Sequence, residues 1–175
     1  MKKTLSVLLT FALVLSLVPA FAVHFSAKSV GAWQYDVKNG TAVITDYYGD
    51  VAGDIVVPST LGGYTVTVIG DSAFFNRSAM TGITLPDSVT EIDKYALRNC
   101  SELRELTFGD GVRTISGELL IHCSKLEKVT FGRGLTCIER QTSLRWAKNA
   151  LLYVPAGSYA LDWAREHGFT YRVMD

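Results

Sequence analysis

Apolar and polar positions along this chain fall into a phrase that repeats every 23 residues. The octet FGDGVRTI at residues 108–115 returns as FGRGLTCI at 131–138, and a looser version, LPDSVTEI, precedes both at 85–92. Aligning them puts Val66, Val89, Val112 and Leu135 in one column and Ile69, Ile92, Ile115 and Ile138 in the next. Met80, Leu103 and Leu126 form a third, Ile83, Leu106, Val129 and Leu152 a fourth, and Leu85, Phe108, Phe131 and Val154 a fifth. After the fifth column comes turn chemistry each time: Pro86-Asp87-Ser88, Gly109-Asp110-Gly111, Gly132-Arg133-Gly134 and Pro155-Ala156-Gly157. Each unit reads L-x-x-L-x-L, a corner, V-x-x-I, and a closing segment such as DKYALRNC. One unit alone cannot bury its apolar positions, but stacked units set each column against itself and build a continuous core. The pattern predicts a β-rich solenoid of four coils over residues 66–155, with short parallel strands about 4.8 Å apart. L-x-L supplies one strand per coil, V-x-x-I a second, and the closing segment turns or a short helix.

Open solenoid ends expose core and strand edges, so both ends require lids. Residues 23–65 form the expected N-terminal cap. There WQYDV and TAVIT flank Lys38-Asn39-Gly40, and Asn-Gly between alternating apolar residues signals a β-hairpin. Ile55-Val56-Val57-Pro58 imitates the L-x-L-P step of the later units. Residues 156–175 form the C-terminal cap: Ser158 as N-cap of a helix running to about His167, Gly168 as its stop, and residues 169–173 alternating as a final strand.

The stretch SAFFNRSAMTGITLPDSVTEIDKYALRNCSELRELTF resembles the BspA-like leucine-rich-repeat family of bacterial secreted and cell-surface proteins. Its units read roughly A-F-x-x-C-x-x-L-x-x-I-x-L-P-x-x-V-T-x-I. The matching positions are Ala73-Phe74, Leu85-Pro86, Val89-Thr90 with Ile92, Ala96-Leu97, Cys100, Leu103, and Cys123 with Leu126. The resemblance runs from about Trp33 to the C-terminus. The fourth unit departs from it, with Thr142-Ser143 in place of Ala-Phe and Arg145-Trp146 in place of Asn-Cys. The resemblance implies a leucine-rich-repeat solenoid and an extracellular adhesion role, in contact with host or neighbouring-cell surface proteins.

The first 22 residues change the picture next. Lys2 and Lys3, an apolar run to Leu17, Pro19 and the exit Ala20-Phe21-Ala22 form the pattern of a secretory signal peptide, so residues 1–22 are read as a cleaved leader and the mature chain as exported. No later stretch is long and apolar enough to span a bilayer. Removal leaves 153 residues with 15 basic and 17 acidic side chains, a balance that points to neither nucleic acid nor a membrane surface. Three cysteines match neither a zinc site nor a disulfide framework. Cys100 and Cys123 share a column and are expected as buried, reduced thiols, with Cys137 as an exposed one.

Candidate chemistry is thin. His24 lies beside the cleavage site, His122 in the column of Asn76 and Asn99, and His167 in the last turn of the expected helix, none with a nucleophile to serve. The Gly-x-Gly pairs recur at the repeat period and are corners, lacking the strand-to-helix setting of a phosphate loop. Asp46, Asp50 and Asp54 are hard-cation ligand types, but their spacing is not that of a calcium loop and reads as a solvated acidic segment. No catalytic residue, metal or cofactor is expected.

The strongest functional candidate is the outward face of the L-x-L strands. It presents a hydroxyl column, Thr84, Thr107 and Thr130, ending at Tyr153. Beside it Arg104 stands opposite Glu127, and Glu105 opposite Lys128, one coil apart. The same residues would also serve merely to stabilise exposed strands. A second candidate is an aromatic glycan platform at the front, Trp33, Tyr47 and Tyr48, although the alternation in WQYDV suggests instead that several of the front aromatics are lid core.

Overall fold

The computed structural model describes residues 27–50, 52–139 and 148–175. The leader at 1–22 and the departures at 142–146 lie outside the described residues. The chain begins with an antiparallel meander, β1 (Lys28–Val30), β2 (Trp33–Lys38) and β3 (Thr41–Tyr47). Asn39 and Gly40 take φ of 51° and 79°, the left-handed pair that a two-residue hairpin turn requires.

Two strand ladders then build the coils. The first contains β4 (Gly53–Val56), β7 (Met80–Thr84), β9 (Glu105–Thr107), β11 (Lys128–Thr130), β13 (Leu151–Pro155) and β14 (Tyr171–Met174). They form one six-stranded sheet, parallel throughout, in the order β4-β7-β9-β11-β13-β14. The four L-x-x-L-x-L units predict four of these strands; β4 and β14 add one at either edge. The second ladder contains β6 (Tyr64–Ile69), β8 (Glu91–Ile92), β10 (Thr114–Ile115) and β12 (Cys137–Ile138). Here β6 pairs in parallel with β3 and β8, β10 pairs in parallel with β12, and β5 (Thr60–Leu61) turns back on β6.

Register follows the sequence columns. Ile83, Leu106, Val129 and Leu152 stand opposite one another and are at most 2% exposed. Phe108 and Phe131 stack with ring centroids 5.7 Å apart. The closing segments among the described residues are hydrogen-bonded turns, with the Phe74 and Asn76 amides donating to Ala96 and Arg98 carbonyls one coil on. Asn76, Asn99 and His122 all take φ of 63°, and asparagine tolerates that left-handed backbone better than most residues. Corner residues are equally specific. A Cβ on Gly132 would lie 2.2 Å from the Gly109 carbonyl oxygen, so only glycine lets neighbouring corners close up. The Asp87 carboxylate accepts the Asp110 amide at 2.9 Å, and Asp110 accepts that of Arg133 at 2.8 Å.

At the far end α1 (Tyr159–Glu166) is capped by Ser158, whose hydroxyl accepts the Leu161 amide. It buries Ala160, Leu161 and Ala164 against the core, and His167 rather than a further turn closes it. The final strand starts at Tyr171 instead of residue 169, because Phe169 stacks on Trp163 at 5.0 Å and its amide bonds back to Ala164.

Candidate functional site

The outward face of the six-stranded sheet follows from alternation: between buried residues of each L-x-L step, the intervening side chains point away from the core. Pairing places Val56 beside Thr84, Thr84 beside Thr107, Thr107 beside Thr130, Thr130 beside Tyr153, and Tyr153 beside Arg172. The hydroxyl column expected from the sequence is therefore assembled. It is also longer at both ends, through Val56, 71% exposed, and Arg172. Those two residues and Asp54 are the members that sequence reasoning did not assign to the face; the L-x-L-P imitation at Ile55 was the signal for Asp54 and Val56, and the alternation at residues 169–173 the signal for Arg172.

A charged ladder runs alongside. Glu105 stands opposite Lys128 in the sheet and their ion pair measures 3.0 Å. The Glu105 hydrogen bond and charge hold the Lys128 ammonium above its ordinary pKa. Lys128 also lies 5.4 Å from the Tyr153 ring centroid, within cation–π range. The Arg104 guanidinium pairs with the Glu127 carboxylate, and Lys125 with Glu102 at 2.5 Å. Glu102 is held below the usual glutamate range by its hydrogen bond from Lys125. All of these charges are exposed to solvent. Asp54 accepts from the Thr81 hydroxyl at 2.7 Å, and Gly82 supplies the space its carboxylate occupies.

The aromatic front takes a different form from a glycan platform. Trp33 and Tyr47 lie 4.5 Å apart between ring centroids and each sits 6.2 Å from buried Phe74, so their faces are spent on the lid. Tyr48 alone of the three is exposed, at 63%. Asp46 binds the Arg77 guanidinium at 2.6 Å and the Tyr47 amide, and it raises the Tyr48 pKa by hydrogen bonding and charge. Asp50 accepts the Ala52 amide. The three aspartates of the acidic segment thus have separate partners, and no cluster of three metal-ligand side chains occurs among the described residues.

Cys100 and Cys123 are buried free thiols, donating to the Phe74 and Leu97 carbonyls at 3.2 and 3.1 Å. The adjacent Cys123 and burial push the Cys100 thiol up. Cys137 is exposed. His167 stacks on Trp163 at 4.5 Å and bonds its carbonyl, a structural role, while His24 lies outside the described residues. Among the described residues no helix is long and apolar enough to cross a membrane.

Residues 55–144 match the BspA type leucine rich repeat region, in 6 copies. No curated protein matches the chain. Among solved structures, the chain is similar to a leucine-rich repeat protein from Bacteroides capillosus, at 25% identity and TM-score 0.62, covering 86% of this chain and 99% of that one. It is similar in fold to a leucine-rich repeat protein of T. pallidum, at 20% identity and TM-score 0.61 over 84% of this chain. It spans 64% of that protein's length. A Bacteroides ovatus leucine-rich repeat protein gives TM-score 0.59 at 20% identity, covering 83% of this chain and 37% of that one.

Proposed function

The chain belongs to the BspA-type leucine-rich-repeat family, and from that premise we propose that it is an exported, non-enzymatic adhesion module whose partner is an extracellular or host surface protein. A leucine-rich-repeat chain is a protein-interaction scaffold; export, adhesion and partner are the proposal. The observation that carries it is the outward sheet face, where Thr84, Thr107, Thr130 and Tyr153 stand in register across adjoining strands. Its interior charges are paired within the plane, Arg104 with Glu127 and Glu105 with Lys128, so the face presents little uncompensated charge to a partner. Export is supported by the leader pattern at residues 1–22.

Interface size sets the expected strength. A standard interface uses about 20–30 residues per side, more than this face offers, so a single copy binds weakly and a multivalent display is required for useful affinity. The test is the chain displayed on a multivalent array against extracellular-matrix proteins. Saturable retention that disappears on replacing Arg104, Lys128 and Tyr153 together by alanine, with the circular dichroism spectrum unchanged, is the expected result. Retention that survives the triple replacement overturns the face as the binding site.

A further inference from the structure

We infer that the two open edges of the six-stranded sheet join between molecules: β14 of one copy takes β4 of a second copy as its next parallel strand, head to tail. The six strands carry four charged side chains, Asp54, Glu105, Lys128 and Arg172. The middle two neutralise each other across one coil. The outer two are of opposite sign and stand at opposite ends of the sheet. Asp54 on the first strand has only the Thr81 hydroxyl, and Arg172 on the last has no ion pair among the described residues. Placing a second copy so that its β4 lies one strand spacing beyond β14 sets Val56 beside Arg172, and Asp54 diagonally within an arginine's reach. The charge pattern that is complete inside the molecule is thereby completed between molecules.

The apolar columns point the same way. Val173 is paired with Val154, the last member of the column that includes Leu85, Phe108 and Phe131. Val154 is 0% exposed and Val173 is 48% exposed, with no further strand among the described residues covering it. In the junction, β4 of the second copy supplies the missing neighbour; Val57, at the start of the same column, is already buried within its own copy at 2% exposure, so the area gained is that of Val173.

Strand polarity also permits this joint. All pairings in the sheet are parallel, so its two edges run in the same direction and a translation matches them. The edges of the other ladder are managed. The Ile138 amide of β12 donates to the Tyr159 hydroxyl at 3.3 Å, and β1 is three residues long and carries Lys28. A translational contact is heterologous and does not close, so the product is an open series of oligomers rather than a dimer.

Sedimentation velocity over a concentration series of the chain from Val23 to Asp175, without the leader, tests this. Expected are species that grow with concentration without a stop at dimer. Asp54→Arg and Arg172→Glu each place like charges at every junction and weaken association about five- to tenfold, the loss of one exposed pair plus a repulsion. An equimolar mixture of the two variants, or the double variant, restores it, since opposite charges again meet. A monomer at all concentrations overturns the proposal, as does a stable dimer or association indifferent to the two reversals. Failure of a variant to fold is distinguished by circular dichroism, and the restoring double variant reports on the same sites.

Discussion

Gly132 and Gly82 show how differently a single added methyl group can weigh in this protein. A Cβ at Gly132 meets the Gly109 carbonyl and the Asp110 backbone, none of which can rotate away, whereas at Gly82 it meets only the Asp54 carboxylate. Gly132→Ala is therefore expected to destabilise by about 1–3 kcal/mol, and Gly82→Ala by well under that, measured by urea unfolding. The thiols give a second contrast. Cys137 should react with a thiol reagent in the folded protein, while Cys100 and Cys123, both 0% exposed and bonded to carbonyls, should react only after unfolding. Two or three fast-reacting thiols in the native state would contradict that core. The shared column of Cys100 and Cys123 was legible from the period alone. Their carbonyl partners were not, because Phe74 and Leu97 come within reach only through the pitch of the closing turns.

Ion pairs across the sheet act at the scale of the element. Glu102 has its pKa lowered by Lys125, so its contribution to stability is present above the ordinary glutamate range and is lost as pH falls through the depressed value. Wild type and Glu102→Gln should accordingly differ in Tm at neutral pH and converge in acid, and equal offsets at both pH values would show that the pair does nothing. The effect is small, since both partners are exposed to solvent and screened by it. Helix α1 depends on its cap more than on its length. Ser158→Ala removes the acceptor for the Leu161 amide and is expected to cost about 1 kcal/mol, read from the thermal unfolding midpoint. This cap was readable because serine before an apolar run is local chemistry. The start of β14 was misplaced by two residues because Phe169 has a stacking partner in Trp163, which no local pattern announces.

For the whole molecule, a solenoid is coupled only through neighbouring coils, and five or so coils bound by lids are short enough to unfold together. Trp33 reports on the front lid and Trp163 on the back. Variants retaining one or the other as the sole tryptophan should show coincident denaturation midpoints, and separated midpoints would mean that the lids melt independently. The period of 23, the columns, the corners and the pairing of Glu105 with Lys128 were determined by sequence alone. The physical reason is that each coil repeats the same local path, so residues one period apart must become neighbours. What only the tertiary structure decided lies where the period ends. There β4 and β14 extend the sheet, Trp33 and Tyr47 turn onto Phe74, and Asp54 and Arg172 are left at opposite edges. At a boundary the neighbour is set by how the lid closes over the last exposed column, and that closure is a matter of three-dimensional packing, with no repeating register to transmit it.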